Sequence, residues 1–376
     1  MSEPENIPDN NVAELIDRSL TDEEYSDLTD SEQTPTKVTF STQDYSVDSL
    51  VSRMNSGAMV IPKFGGNDER VNIAGFQRGF VWSKAQMDRF IESLLLGYPI
   101  PGIFLVKQAS NNRLLVLDGQ QRLTTLQQFY KGVHNGRVFS LQYVGDEYRG
   151  TTYESLDETL KFKLDDSFMQ ATIVTTDGSN ELDEAVYQIF ERLNAGGTQL
   201  TPHEIRVALF AGPLMMSLQK LNEDENWRAL FGGRSKRIRD HELIMRIIAL
   251  YLRADAYSRP LKKFLNSFAS DYRQADLSAD ETGNLFSAAV LKLNSTVGKS
   301  AFRRYSGQQV NTAQAEAICV ATMHALANDN LTEDLPEAIR LLLQNQDFLD
   351  SSARATADRD AVETRLREAR GALEAR

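Results

Sequence analysis

The residue types best suited to chemistry in this chain of 376 residues lie together in LLVLDGQQRLTTLQQFY, Leu114–Tyr130. An apolar run ends there in Asp118, Gly119, Gln120, Gln121 and Arg122, and an apolar pattern at helical spacing then resumes. A helix N-terminus presents unpaired backbone N–H groups and a partial positive charge, which makes it a seat for phosphate. Gly119 permits close backbone approach, and Arg122 in the first turn can give an oxyanion a bidentate grip. A cation there opposes the helix dipole, a local cost that an arriving anion would offset. Gln120 and Gln121 could orient a water or read a base edge, while the hydroxyls of Thr124 and Thr125 could bind phosphate or a hydrated metal. Asp118 is the one carboxylate of the group, suited to hold Mg²⁺ or to accept a proton from water. The plainer alternative makes Asp118 the N-cap and leaves Gln120, Gln121 and Arg122 as solvated first-turn residues.

A second polar knot stands in an aromatic setting. In GFQRGFVW, Gln77 and Arg78 lie between Phe76 and the Phe80/Trp82 pair, a composition that suits stacking on a base and clasping a phosphate. A buried arginine paired with a carboxylate such as Asp118 is the alternative. The third constellation is IFERLNAGGTQLTPHEIR, Ile189–Arg206, where Glu191, Arg192 and Asn194 crowd a loop between two helices. Thr201 reads as the next N-cap, with Pro202 at the first helical position. Further on, GGRSKRIRDHELIMR carries Arg234, Lys236, Arg237 and Arg239, either a phosphate-backbone patch or a solvated basic face.

The elements that must hold these residues follow from periodicity. Val38 and Phe40 alternate as in a strand, and Ser46 opens a helix with Val47, Leu50, Val51 and Met54 on one side, ended near Gly57. AMVIP reads as a short buried strand. From Ser83 to Leu96 the apolar residues Met87, Phe90, Ile91, Leu94 and Leu95 recur at three- and four-residue steps, with Ser83 as N-cap and Gly97 as stop. Pro99 and Pro101 forbid more helix, IFLVK is a strand, and Asn111 and Asn112 turn the chain into LLVL. The helix after Gly119 points Leu123, Leu126 and Phe129 inward. RVFSLQYV and FMQATIVTTD read as β. From about Glu181 the period is helical, with helices at 182–194, 202–221, 238–253, 258–274, 280–297, 311–328, 334–349 and 356–375. The expected fold is α+β: a tail over 1–36, a small α/β domain over 37–180 and an all-α domain over 181–376.

Charge is distributed unevenly. Residues 1–36 hold eleven acidic residues against Arg18 alone, whereas the whole chain has a net charge of −12, so the body is close to neutral. The acidic tail is expected to be disordered, serving as a solubilising segment or covering a basic cleft. No apolar run approaches the roughly 20 residues a membrane span needs, and MSEPENIPDN lacks the apolar core of a secretory signal, so the expected location is the cytoplasm with no membrane partner. The one cysteine, Cys319, lies in the apolar pattern AEAICVATMHAL and excludes an internal disulfide. His134, His203, His241 and His324 are scattered without the spacing of a transition-metal site.

FQRGFVW with Gln86, ESLLLGYPIP at Glu92–Pro101, VLDGQQRLTTL at Val116–Leu126 and FERLNAGGTQLTPHEIR at Phe190–Arg206 together resemble the N-terminal domain of the GmrSD-type restriction proteins. These are bacterial phage-defence factors with a ParB/sulfiredoxin-like fold. The resemblance covers roughly residues 45–250. It implies a domain that binds and hydrolyses an NTP with Mg²⁺, with Asp118–Arg122 at the core of the nucleotide site and Arg78 with its aromatic neighbours lining the same cleft. In that reading Asp118, Gln121 and Arg122 are catalytic. Gly119, Gln120, Thr124, Thr125, Gln77, Arg78, Trp82, Arg192 and Asn194 contact nucleotide or phosphate. Relatives sense modified DNA or control a nuclease. Many carry an HNH-type nuclease at the C-terminus, yet residues 250–376 contain only His324, so a partner nuclease is expected to do any cutting. No Walker A motif is present either. A non-catalytic module that reads DNA or nucleotide stays open beside the NTPase, as does direct nuclease action. A homodimer through the charged C-terminal helix ETRLREARGALEAR is a further expectation.

Overall fold

The computed structural model describes residues 38–61, 82–108, 112–175, 179–193, 201–235, 237–303, 309–353 and 355–375. They fall into two compact units, one within residues 34–199 and one within residues 200–376.

The first unit is built on a mixed sheet of five strands: β1 (Phe40–Ser46), β2 (Met59–Val60), β3 (Ile103–Lys107), β4 (Leu114–Asp118) and β7 (Phe168–Thr175). Their order is β1-β7-β3-β4-β2. The pairs β1/β7 and β3/β4 are antiparallel, and β7/β3 and β4/β2 are parallel. A separate small hairpin pairs β5 (Val133–His134) with β6 (Arg137–Val138). Helices α1 (Val47–Asn55) and α2 (Lys84–Leu96) each pack on α3 (Gln120–Lys131) and close the core. The residues expected inward are there: Val47, Leu50, Met87, Ile91, Leu95, Leu123, Leu126 and Phe129 are all buried. Ser83 makes a full capping box with Gln86, and Gly97 ends α2 in the left-handed region.

RVFSLQYV departs from the β expectation beyond Arg137–Val138. The reason is Asp88, a buried carboxylate on α2 that accepts from the backbone N–H of Gln142 and Tyr143 at 2.9 and 3.0 Å. Those donors are satisfied by a side chain and need no neighbouring strand. Phe139, Leu141 and Val144 still enter the core. A further helix, α4 (Glu158–Asp165), lies between the hairpin and β7; its N-cap Asp157 accepts from Leu160 N at 2.8 Å. Helix α5 (Asn180–Leu193) follows β7 and groups with the sheet unit.

The second unit is helical: α6 (Pro202–Leu209), α7 (Pro213–Asn222), α8 (Glu225–Phe231), α9 (Arg239–Arg253), α10 (Leu261–Asp271), α11 (Glu281–Thr296), α12 (Thr312–Ala327), α13 (Leu335–Leu342), α14 (Gln346–Ser351) and α15 (Arg359–Leu373). The single helix expected over 202–221 is two. Gly212 passes so close to the Arg273 carbonyl that a Cβ would sit 2.7 Å from it, and Pro213 starts a new helix. The helix expected over 334–349 also divides, because the Asn345 side chain caps α14 by accepting from Phe348 N at 3.0 Å. α8 was not expected; Asp224 caps it by accepting from the N–H groups of Asn226 and Trp227. α12 is buried on nearly every side and lies at the centre, in contact with α9, α11 and α15. Cys319 is buried within it, and burial pushes its thiol pKa up, as expected for an inert core thiol. α15 turns Val362, Leu366, Ala369 and Leu373 inward against its own unit. No helix among the described residues is long and apolar enough to cross a membrane.

Candidate functional site

Asp118 is the last residue of β4, and the chain enters α3 through Gly119 with no intervening loop. The turn is possible because Gly119 adopts φ 96°, ψ 7°. A Cβ there would also lie 2.3 Å from Cγ2 of Ile103 on the neighbouring strand, so the position excludes side chains twice over. Gly119 itself is the helix N-cap and has no side chain to give. The expectation of Asp118 as N-cap is therefore not how this helix starts, and its first N–H groups carry no side-chain cap.

Arg122 is the organising residue of the junction. Its Nη2 meets Asp118 Oδ2 at 2.9 Å, while Nη1 donates to the carbonyls of Pro101 and, at 2.9 Å, Gly102. One guanidinium thus ties the strand end to the turn that follows α2, joining the DGQQR stretch to the end of GYPIPG. Its side chain is 12% exposed and that of Asp118 is 51% exposed, so the carboxylate faces water while the cation is held beneath it. Asp118 Oδ1 has no hydrogen-bond partner among the described residues.

The neighbouring side chains divide. Gln121 Oε1 accepts from the backbone N–H of Trp82 at 3.3 Å, which brings the last residue of GFQRGFVW to the same junction. Trp82 itself is half-buried and meets Phe90 edge-on at 5.6 Å, as part of the core rim. Gln120 Nε2 donates to Val116 O at 3.3 Å. Thr124 is half-buried. Thr125, expected beside a phosphate, is fully buried and donates back to Gln121 O at 2.8 Å, pointing into the core. Arg192 is exposed in the last turn of α5. Gln77, Arg78 and Asn194 lie outside the described residues.

The downstream half of the third constellation builds the helical unit. Thr201 caps α6 and forms a capping box with Glu204, as the sequence leads one to expect. Yet Glu204 is buried on Arg237 at 3.2 Å, which removes that arginine from the supposed basic patch. Arg234 is exposed and reaches Glu223 at 3.5 Å, and Lys236 lies outside the described residues.

A polar chain hidden from the sequence reading runs nearby in the same unit. His241 Nε2 contacts Met215 O at 3.3 Å, so it donates and Nδ1 is the acceptor. His203 Nε2 then donates to His241 Nδ1 at 2.7 Å, and His203 Nδ1 accepts from Arg206 Nη1 at 3.0 Å. Both rings are fully buried and neutral in this arrangement. Burial first, then His241 and Arg206, holds His203 well below the usual imidazole range, and burial takes His241 down to about 3. Only the i, i+3 spacing of His203 and Arg206 marks this in the sequence; His241 is 38 residues away.

Among the described residues no group of three or more His, Cys, Asp or Glu side chains could hold a metal ion. Compared with known families, residues 61–211 match the model described as GmrSD restriction endonuclease, N-terminal domain. No curated protein and no solved structure matches the chain.

Proposed function

Since the chain contains a GmrSD restriction endonuclease N-terminal domain over residues 61–211, we propose that it is a nucleotide-binding regulatory or sensor protein of an anti-phage restriction system, and that it hydrolyses the NTP it binds. The observation that carries this reading is the Gly119 junction. A strand end presents a water-facing carboxylate, a left-handed glycine opens a helix without a side-chain cap, and an arginine sits in the first turn. Uncapped N–H groups at a helix start attract phosphate.

A lone carboxylate is compatible with Mg²⁺, which commonly takes one or two protein carboxylates and completes its shell with water and substrate phosphate. Asp118 would hold the ion through Oδ1, together with the nucleotide. When bound, Mg²⁺ would neutralise charge on the phosphates. Gln121 and Gln120 would orient water, Thr124 would reach a phosphate oxygen, and Gln77, Arg78, Arg192 and Asn194 remain candidates for the rest of the nucleotide. DNA and a separate nuclease are the partners this reading calls for.

The present partners of Arg122 favour a second reading. A guanidinium already tied to Asp118 and two main-chain carbonyls braces the junction, as a non-catalytic module would need if it only sensed nucleotide or DNA and controlled a partner nuclease. The experiment is a panel of the four NTPs with Mg²⁺, with and without DNA, on the full chain and on Asp118→Ala and Arg122→Ala. Phosphate release that is lost in both folded variants supports hydrolysis at this site. Undiminished turnover in both variants sinks the assignment, and saturable binding without phosphate release selects the sensing module.

A further inference from the structure

The helical unit carries an open cleft of about 500 Å³ between the 3₁₀ turn Ala254–Ala256, α12 and α15. Arg359, Arg367, Arg370 and His324 line it together with Asp255 and Glu363, and Val320, Val362 and Leu366 supply an apolar floor. The three arginines come from one helix and lie toward one face of it.

Their existing partners are weak. Arg359 pairs with Glu363 at 2.6 Å, Arg367 with Glu368 at 3.0 Å and Arg370 with Glu374 at 3.1 Å, all within α15 or at its end. Each arginine side chain is 45% exposed or more, and such pairs typically contribute only about 0–1 kcal/mol, so a ligand anion can exchange with them. His324 is different in kind. It is half-buried, its ring lies 4.6 Å from that of Tyr251, and neither ring nitrogen has a hydrogen-bond partner among the described residues. Burial first, then Arg370, lowers its pKa, so it offers one neutral N–H donor toward the cleft.

We propose that this cleft binds a small organic phosphate, with its phosphate gripped by Arg367, Arg370 and His324 and its body lying on Val320, Val362 and Leu366. Phosphate suits the site better than a carboxylate because its several oxygens can meet two guanidinium groups and an imidazole at once. The volume lies in the range of sites that take whole organic ligands, and inorganic phosphate would leave the floor uncovered.

Calorimetric titration of the full chain with phenyl phosphate, adenosine monophosphate and inorganic phosphate tests this. At least one organic phosphate should bind saturably and about tenfold tighter than inorganic phosphate. Arg367→Gln and Arg370→Gln, both exposed positions, should each weaken that binding about fivefold or more with the circular dichroism spectrum unchanged. In the unmodified chain the imidazole resonances of His324 should move at saturation, a readout that needs no variant. No saturable binding, equal affinity for inorganic phosphate, or binding undisturbed in both arginine variants would overturn the proposal.

Discussion

Arg122 and Gly119 divide the work at the junction between them. The guanidinium closes three contacts that hold β4 against the turn after α2, and the glycine makes the turn geometrically possible. Replacing Gly119 with alanine forces a Cβ into the left-handed region, at about 1–2 kcal/mol. It also drives that Cβ against Ile103 Cγ2, an overpacking of about 1–3 kcal/mol. Gly119→Ala should therefore lower the unfolding free energy by about 2–5 kcal/mol in urea melts. In an Ile103→Ala background the same change should cost only the backbone part, and an equal cost in both backgrounds would show that Ile103 is not the obstacle. At this scale the polar character of the junction was legible, since Asp118 and Arg122 pair there and Gln121 reaches Trp82. Their partners were not. The carbonyls of Pro101 and Gly102 and the N–H of Trp82 are main-chain groups, which leave no mark in a pattern of side chains.

Helices were legible wherever an apolar stripe, a cap and a stop agreed, as in α2 with Ser83 and Gly97. They were misjudged where one apolar stripe runs across two short helices, as at Gly212–Pro213 and at Asn345, because periodicity persists through a break that only a cap or a close backbone approach reveals. Least visible was the charge inside apolar runs. Glu316 lies in the second turn of α12 and is fully buried, yet it joins Arg246 of α9 at 2.7 Å to Arg365 of α15, whose Nε donates to it at 2.9 Å. Three helices thus share one carboxylate. Glu316→Ala leaves two arginines buried without it and should destabilise the chain by about 3–5 kcal/mol, read by chemical denaturation. A combined Arg246→Met, Glu316→Leu and Arg365→Met chain should recover most of that loss, since well-packed apolar groups can replace a buried ionic triad. A Glu316→Ala change within 1 kcal/mol of the parent, roughly the value of a surface pair, would deny the triad its role.

Across the whole molecule the four histidines respond to folding in one direction. His134, His203, His241 and His324 all have pKa values below the ordinary imidazole value, with burial as the largest cause in each. An unfolded histidine takes up a proton as the pH falls past about 6.5, whereas folded His241 resists until about 3 and His203 is likewise held neutral. Between those values the unfolded chain binds more protons, so stability rises with pH and is lost as the pH falls below about 6.5. For each fully buried ring the slope approaches about 1.4 kcal/mol per pH unit. His203, His241 and His324 belong to the helical unit, so that unit should respond most to acid. The chain offers a direct reporter, since of its two tryptophans Trp227 is fully buried in the helical unit and Trp82 belongs to the sheet unit. In a Trp82→Phe background, the urea midpoint of Trp227 fluorescence should fall steeply from pH 7 to pH 5. Adding His203→Gln and His241→Gln should flatten that fall by nearly two protons' worth, because the variant no longer holds two rings neutral in a chain that runs from Arg206 to the Met215 carbonyl. The slope should then be what His324 and the carboxylates leave, and a slope identical to that of the parent would mean that the buried pair is not what couples this unit to acid.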